Sequence, residues 1–279
     1  MIFRRAERKD ARGFQRENRA NLVELLRDST ISQHLDYAYL PISKAANTFL
    51  KRLLWQVEHE NGFARPLDDN YFSIHNIGWK YATDEESPWV PIEKGMLKEF
   101  QQAWSKQKFR FSVVRNPFAR LLSAYLDKIG GQKEKSKQNL FRHLNAVPNF
   151  DPLSLSFEAF VDIVVATRDS HLNKHWLPQI NCLAPDYISC NYIGHFENMD
   201  AILDRLRVHF PNNADSIQNM NNAVHKTNSN ALTQEYYQNE RIVKKVYNRF
   251  RADFDLLGYG KDPLNIAPVK NVSKELLKK

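Results

Sequence analysis

Residues 37–49 read Tyr-Ala-Tyr-Leu-Pro-Ile-Ser-Lys-Ala-Ala-Asn-Thr-Phe, and the pattern changes half-way along this stretch. Tyr37 to Ile42 is a short apolar run bounded by polar residues, which is typical of a buried strand. From Asn47 to His59 the apolar residues recur at helical spacing, which predicts a helix. The sequence therefore predicts a strand, a turn of small residues and a helix in direct succession.

This predicted turn has the composition of an anion-binding loop. The first amides of a helix have no partner within the helix and can bind an anion. Ala45 and Ala46 are small enough to let a phosphate reach the backbone, Lys44 adds a positive charge and Thr48 adds a hydroxyl donor. The glycines and the Gly-Lys-Ser/Thr ending of a P-loop are missing. Taken alone, the segment fits a capped turn with a solvated lysine equally well.

A second strand-to-helix junction lies at residues 111–125, which read Phe-Ser-Val-Val-Arg-Asn-Pro-Phe-Ala-Arg-Leu-Leu-Ser-Ala-Tyr. Residues 109–114 are rich in aromatic and β-branched types, which favours a strand. Pro117 suits the first turn of a helix that runs to about Ile129. Arg115 and Ser123 could then reach one phosphate, and the guanidinium fork suits its oxygens. The alternative is an arginine in a surface pair and a serine bonded to its own helix.

Strands and helices alternate along the rest of the chain, which predicts an α/β fold with a largely parallel sheet. We expect one domain over residues 1–279. Its further predicted parts are an N-terminal helix within 1–35, a strand at 70–75, a helix at 94–106, a loop or lid insertion at about 131–155, a helix at 156–166, a strand at 191–195, a helix at 198–209 and a long amphipathic helix at 233–251.

The composition is that of a globular protein with a modest basic excess. Forty Lys and Arg against 32 Asp and Glu give a net charge of +8, which attracts anions in general. Two cysteines make neither a disulfide framework nor a four-ligand zinc site. The first twelve residues lack the apolar core of a secretory signal, and no apolar run is long enough to span a membrane. These features predict a cytoplasmic protein.

Together the two junctions resemble the sulfotransferases that use 3′-phosphoadenosine-5′-phosphosulfate (PAPS), and more narrowly the carbohydrate branch with the chondroitin and hexuronic-acid enzymes. Residues 41–49 resemble the family's 5′-phosphosulfate loop, although Ile42 and Ser43 separate Pro41 from Lys44 and Phe49 replaces the usual tryptophan. Residues 113–125 match the 3′-phosphate segment closely. Residues 173–179, 192–197 and 247–259 are also similar to the carbohydrate branch.

The resemblance implies a P-loop-like fold with a central, mostly parallel sheet flanked by helices. It implies a sulfotransferase that moves a sulfonate group in line from PAPS to a hydroxyl of an acceptor, expected to be a carbohydrate, without a metal and without nucleic acid. Lys44 would be catalytic. The implied cofactor-binding residues are Lys44, Ala45, Ala46, Asn47, Thr48, Phe49, Arg115, Ser123, Lys226 and Asn228.

A histidine between the two cofactor segments is the base in the hexuronic-acid enzymes, which makes His75 the predicted base, with His171 and His175 as alternatives. His175 and Trp176 are predicted to contact the acceptor, although Trp176 equally suits a core position. Two other functions fit the residues: a nucleotide kinase-like enzyme with a degenerate P-loop, and a non-catalytic protein that binds polyanions.

Overall fold

In the computed structural model the described residues are 26–66, 87–91, 97–129, 155–221 and 229–277. Within them the strands are β1 (Thr30–Ile31), β2 (Tyr37–Leu40), β3 (Phe109–Val114) and β4 (Tyr192–His195). The helices are α1 (Asn47–Glu60), α2 (Leu97–Lys106), α3 (Pro117–Lys128), α4 (Phe157–Ala166), α5 (Gln179–Leu183), α6 (Met199–His209), α7 (Ala214–Asn221), α8 (Ser229–Tyr236), α9 (Glu240–Arg249) and α10 (Arg251–Leu257).

The strands form one sheet in the order β1-β2-β3-β4. Strands β2, β3 and β4 are parallel, with Leu40 opposite Ser112 and Val114 opposite His195. Only the two-residue β1 is antiparallel, paired with β2. The predicted α/β fold with a mostly parallel sheet flanked by helices is therefore confirmed.

Both faces of the central strands are covered, which explains why β2 and β3 read as apolar runs and not as an alternation. All of β2 and all of β3 except Arg110 are buried. Tyr39 and Phe111, which are opposite each other in register, stack with ring centroids 4.9 Å apart. Aromatic pairs of this kind fix neighbouring strands and hence the positions of the residues that follow them.

The prediction of one continuous helix over residues 233–251 is wrong. The chain forms α8, α9 and α10 there, with breaks at residues 237–239 and at Phe250. The Asn239 side chain accepts a hydrogen bond from the Arg241 amide and so starts α9 afresh. The N-terminal helix predicted within 1–35 does not reach residue 35, because Thr30 and Ile31 pair with β2. Residues 1–25, the predicted strand at 70–75 and most of the 131–155 insertion lie outside the described residues.

Glu58, in the last turn of α1, is a fully buried carboxylic acid far from the carboxyl ends of the strands. It lies beside Tyr37 at the amino end of β2, and the Tyr37 hydroxyl accepts a 2.8 Å hydrogen bond from Trp89. Burial raises the pKa of Glu58 to about 7, and the Ser32 and Tyr37 hydroxyls offset only part of that shift. The folded protein thus binds the Glu58 proton more tightly than the unfolded chain does.

We expect stability to fall with rising pH because of Glu58. Its contribution is complete below the ordinary carboxyl pKa of about 4.5 and is lost as the pH rises through about 7. Glu58→Gln should remove this dependence, a difference on the order of 2–3 kcal/mol between pH 5 and pH 8. Urea unfolding of both proteins at the two pH values measures it. Parallel pH profiles would show that the Glu58 carboxyl is not the titrating group.

Candidate active site

The turn after β2 has a strained backbone shaped for an anion. Lys44 and Ala46 have φ values of 70° and 59°, the left-handed region that residues with a Cβ seldom adopt. Ala46 is the N-cap of α1 and gives it no side-chain hydrogen bond. Successive amides in such a turn form a concave site for negative charge, and the positive end of the α1 dipole adds to it. Strain of this kind is typical of ligand-binding turns.

Arg115 follows β3 directly and is held from both sides. The Gln179 side-chain amide accepts a 2.9 Å hydrogen bond from the Arg115 amide and donates a 2.8 Å bond to its carbonyl. The guanidinium lies 4.5 Å over the Phe196 ring, and its Nη1 donates to the Lys44 carbonyl at 3.1 Å. The structure therefore brings the two predicted anion-binding segments into direct contact.

Arg120 lies within the 113–125 pattern, but no role for it was predicted from the sequence. It is only 2% exposed and donates to the carbonyls of Ser43 at 2.9 Å, Leu177 at 2.8 Å and Lys174 at 3.0 Å. One guanidinium thus joins the anion-binding turn to the 174–177 loop. An arginine among the apolar residues of a predicted buried helix face was the signal that could have found it.

The ammonium of Lys44 is fixed by a residue of α3. It forms a 2.6 Å ion pair with Asp127, whose carboxylate also contacts Lys128 at 3.0 Å. Although burial raises it, the hydrogen bonds from Lys44 and Lys128 lower the pKa of Asp127 to about 2. Asp127 therefore stays charged at every physiological pH, and it orients the lysine that the sequence analysis placed at the centre of the chemistry.

His175 lies in a strongly cationic setting next to this lysine. Its Nδ1 is 2.5 Å from the Asn173 Oδ1, and the same oxygen accepts the His175 backbone amide at 3.0 Å. Because Oδ1 is an acceptor, Nδ1 carries the proton and Nε2 keeps its lone pair. Burial first, and then the charges of Lys128, Lys44, Lys174 and Arg120, lower the pKa of His175 to about 3. The imidazole is therefore neutral.

Two carboxylates, the half-buried Glu197 and the fully buried Asp253, hold the backbone behind the site. Glu197, just after β4, accepts hydrogen bonds from the Asn116 amide and the Tyr259 hydroxyl, both at 2.8 Å. Asp253 in α10 accepts the amides of Gln179 and Ile180 at 2.8 and 2.9 Å. Through Gln179 this second carboxylate supports Arg115. Neither contact was apparent from the sequence, since each joins residues more than sixty positions apart.

The remaining predicted residues lie in different settings. Thr48 is exposed, Ser123 is half-buried on α3, and Phe49 packs partly against the core. Trp176 is 2% exposed and meets Phe160 edge-on at 5.3 Å, so its predicted contact with the acceptor does not fit this position, which is a core position. His171 is exposed, with Nδ1 3.0 Å from the Ser170 hydroxyl. His75, Lys226 and Asn228 lie outside the described residues.

Comparison with known proteins assigns the chain that carries this site to a family. Residues 27–260, which contain the whole of the site described above, match the sequence model of the sulfotransferase family. The chain belongs to the sulfotransferase family. It is thus an enzyme of the transferase class, as predicted. No solved structure matches it at a significant level.

The similar proteins are carbohydrate sulfotransferases. Carbohydrate sulfotransferase 14 of Danio rerio is 28% identical over 277 residues, with 86% of this chain and 72% of the relative covered. The Mus musculus protein of the same name is 26% identical, covering 90% of this chain and 63% of its own length. Carbohydrate sulfotransferase 10 of Gallus gallus is 27% identical, covering 69% and 58%. The sulfotransferase chain thus spans between 58% and 72% of these relatives.

The predicted cytoplasmic location is wrong. The carbohydrate sulfotransferases that the chain resembles are membrane enzymes of the Golgi lumen, which contradicts that prediction. In the part of the chain that the structure describes, no helix has the length and apolar character needed to cross a membrane.

We expect Arg120→Lys to loosen the site of this sulfotransferase. A lysine keeps the charge but cannot reach three carbonyls from one planar group, so the free energy of unfolding should fall by about 2–4 kcal/mol. Affinity for 3′-phosphoadenosine-5′-phosphate (PAP) should fall with it, because the Ser43 carbonyl loses its anchor. Chemical unfolding and calorimetry measure the two effects.

The matched control is Arg110→Lys. Arg110 also donates to two carbonyls, those of Ser189 and Gln107, but at the amino end of β3. This variant should lose some stability while its PAP affinity stays unchanged. An equal loss of PAP affinity in both variants would mean that Arg120 acts through general stability and not through the turn.

Proposed function

We propose that this protein transfers the sulfonate group of PAPS to a hydroxyl of a carbohydrate. The observation that carries the proposal is the hydrogen bond from Arg115 to the Lys44 carbonyl, 3.1 Å long. It supports the idea that the 5′-phosphosulfate and the 3′-phosphate of one nucleotide bind to the two neighbouring segments. The names of the similar proteins support a carbohydrate as the acceptor.

The donor would lie along the carboxyl edge of the sheet, where ligands bind in open α/β folds. The turn amides of residues 45–48, including that of Asn47, and the Thr48 side chain would hold the 5′ end, with Phe49 beside them. Arg115 and Ser123 would hold the 3′-phosphate and so select PAPS over ATP. Lys226 and Asn228 remain predicted cofactor-binding residues.

Lys44 would give the main electrostatic stabilisation of the leaving phosphate during the transfer. PAPS supplies a sulfonate that is already activated by its bond to phosphate. Negative charge grows on that phosphate as the bond to sulfur breaks, and a preorganised ammonium stabilises it best in a site that excludes water. Asp127 orients Lys44 for this role through the 2.6 Å ion pair. No covalent intermediate on the enzyme is needed, because the acceptor oxygen attacks sulfur directly.

A histidine would take the proton from the acceptor hydroxyl. The residue predicted for this role was His75, and that remains a prediction. Among the described histidines, His175 is neutral, has its Nδ1 proton fixed on Asn173 and keeps the Nε2 lone pair for a proton. It also lies close enough to Lys44 to feel its charge. A negatively charged donor in the same cleft would raise its pKa and make it a better base.

The two alternatives from the sequence are less well supported. A nucleotide kinase-like enzyme would need ligands for magnesium on its phosphates. A protein that only binds polyanions has no use for a fixed Lys44 and an oriented imidazole. The match to the sulfotransferase family over residues 27–260 favours neither.

The donor assignment predicts selectivity for a 3′-phosphate. Wild-type protein should bind PAP far more tightly than AMP, because only PAP presents a 3′-phosphate to Arg115 and Ser123. Arg115→Met should reduce that preference by roughly ten- to a hundredfold, the scale of a lost charged hydrogen bond. Calorimetry with both nucleotides and both proteins tests this. Equal affinities of the wild type for PAP and AMP would disprove the assignment.

For the base, we expect His175→Gln to lower turnover by roughly 10²- to 10⁴-fold with nearly unchanged PAP affinity. Glutamine keeps a polar group of similar reach but cannot accept the proton. His75→Gln is the matched comparison in the same assay with labelled PAPS. If His75→Gln abolishes turnover while His175→Gln retains it, the base is His75, and His175 only shapes the cleft.

A further inference from the structure

Lys51 is a buried ammonium group that has no use in the mechanism described so far. It lies on α1, one turn beyond Asn47, and is 3% exposed. Among the described residues it makes no hydrogen bond or ion pair. Burial lowers the pKa of Lys51 to about 8, so it is still mostly charged at pH 7. Burying a charge without a partner destabilises a protein, which calls for an explanation.

The charges next to Lys51 do not balance it. Asp28 lies near enough to raise its pKa, and Lys174 lies near enough to lower it. Asp28, however, is already in an ion pair with the ammonium of Lys174. Among the described residues, Asp28 is therefore the one carboxylate near these two ammonium groups, and this part of the structure carries an excess of positive charge that an anion would neutralise.

A second polar group on the same helix face also lacks a partner. Residues four apart on a helix are neighbours, so Asn47 and Lys51 are adjacent. The Asn47 Oδ1 is buried and accepts no hydrogen bond from the residues that the structure describes. An acceptor and a positively charged donor lie side by side, and no described residue forms a hydrogen bond with either. They match a ligand with a hydroxyl next to an acidic group.

This part of the structure adjoins the catalytic groups. Lys174 is the chain neighbour of His175 and one of the four cations that depress its pKa. The Lys174 carbonyl is held by Arg120, which also holds Ser43 in the anion-binding turn. Lys174 therefore lies near His175, and Lys51 lies near Lys174.

We propose that Lys51 and Lys174 form a subsite for an acidic group on the acceptor sugar, a carboxylate or a sulfate, with the Asn47 Oδ1 accepting a hydrogen bond from a neighbouring hydroxyl. The subsite rests on the proposed sulfonate transfer, since it names the acceptor of that reaction. The donor's own phosphates are the other possible source of the anion. The donor already has the turn amides, Lys44 and Arg115. Lys128 also lies near His175, but it contacts Asp127, whereas Lys51 has no ion pair among the described residues.

Lys51→Met tests the subsite, because methionine fills similar space without charge. The probes are a desulfated, uronate-containing polysaccharide and the same polymer with its carboxylates reduced to alcohols. With PAP present, the wild type should bind the acidic polymer more tightly than the neutral one. Lys51→Met should shrink that ratio by about ten- to a hundredfold, the effect of one lost charged hydrogen bond, and leave PAP affinity unchanged. Turnover with labelled PAPS should show the same loss of selectivity.

Lys108→Met is the control for net charge, because Lys108 is exposed and lies at the opposite end of β3 in a pair with Asp36. It should leave both affinities unchanged. Lys51→Met should unfold at the same temperature as the wild type or higher, since it removes a buried charge without a partner. A lower unfolding temperature with unaltered selectivity would make Lys51 a structural lysine. A loss of PAP affinity without a change in polymer selectivity would assign it to the donor. Either result overturns the proposal.

These readouts separate the subsite from the reaction. Polymer binding and PAP binding are measured without turnover. If wild-type protein binds the acidic polymer preferentially but transfers no sulfonate, the proposed function fails and the subsite stands. If it transfers sulfonate equally well to both polymers, the reaction stands and the subsite fails.

Discussion

The site depends on two guanidinium groups that bind backbone carbonyls. Arg115 donates to Lys44, and Arg120 donates to Ser43, Lys174 and Leu177. Both arginines come from the β3–α3 junction, so one short segment sets the positions of the turn after β2 and the loop that carries His175. Carbonyl oxygens accept these bonds without neutralising the charge. The contacts that hold the site together therefore also make it positive.

The positive charge of the site affects both an imidazole and an ammonium group. It keeps His175 neutral, since four cations and burial disfavour a further charge. It also destabilises the charged form of the buried Lys51, because Lys174 is close by and the nearby Asp28 is already paired with Lys174. A negatively charged ligand reverses both effects: it stabilises the ammonium groups and raises the basicity of the imidazole. A site of this design is stabilised by the ligands it binds.

The local sequence was sufficient for most of the architecture. Strand β3 and the start of α3 lie where the apolar run, Asn116 and Pro117 predicted them. The Asn116 side chain caps α3 through the Phe118 amide, a contact within one turn. The predicted 233–251 helix failed for the same kind of reason, since a cap at Asn239 outweighed an uninterrupted amphipathic pattern. Periodicity predicts which face is buried, but caps decide where a helix begins and ends.

The sequence by itself determined the fold class, the two anion-binding junctions and the family resemblance, because each rests on short motifs that are local in the sequence. Only the tertiary structure decided that Arg120 donates hydrogen bonds to the carbonyls of Ser43, Lys174 and Leu177. It also decided that the Gln179 side chain pairs with the backbone amide and carbonyl of Arg115, and that Trp176 belongs to the core. It further decided which histidine has a fixed tautomer near Lys44, and that Lys51 is buried without a hydrogen bond or ion pair to any described residue. These properties depend on burial and on contacts between residues 50 to 80 positions apart, which no local pattern of residue types records.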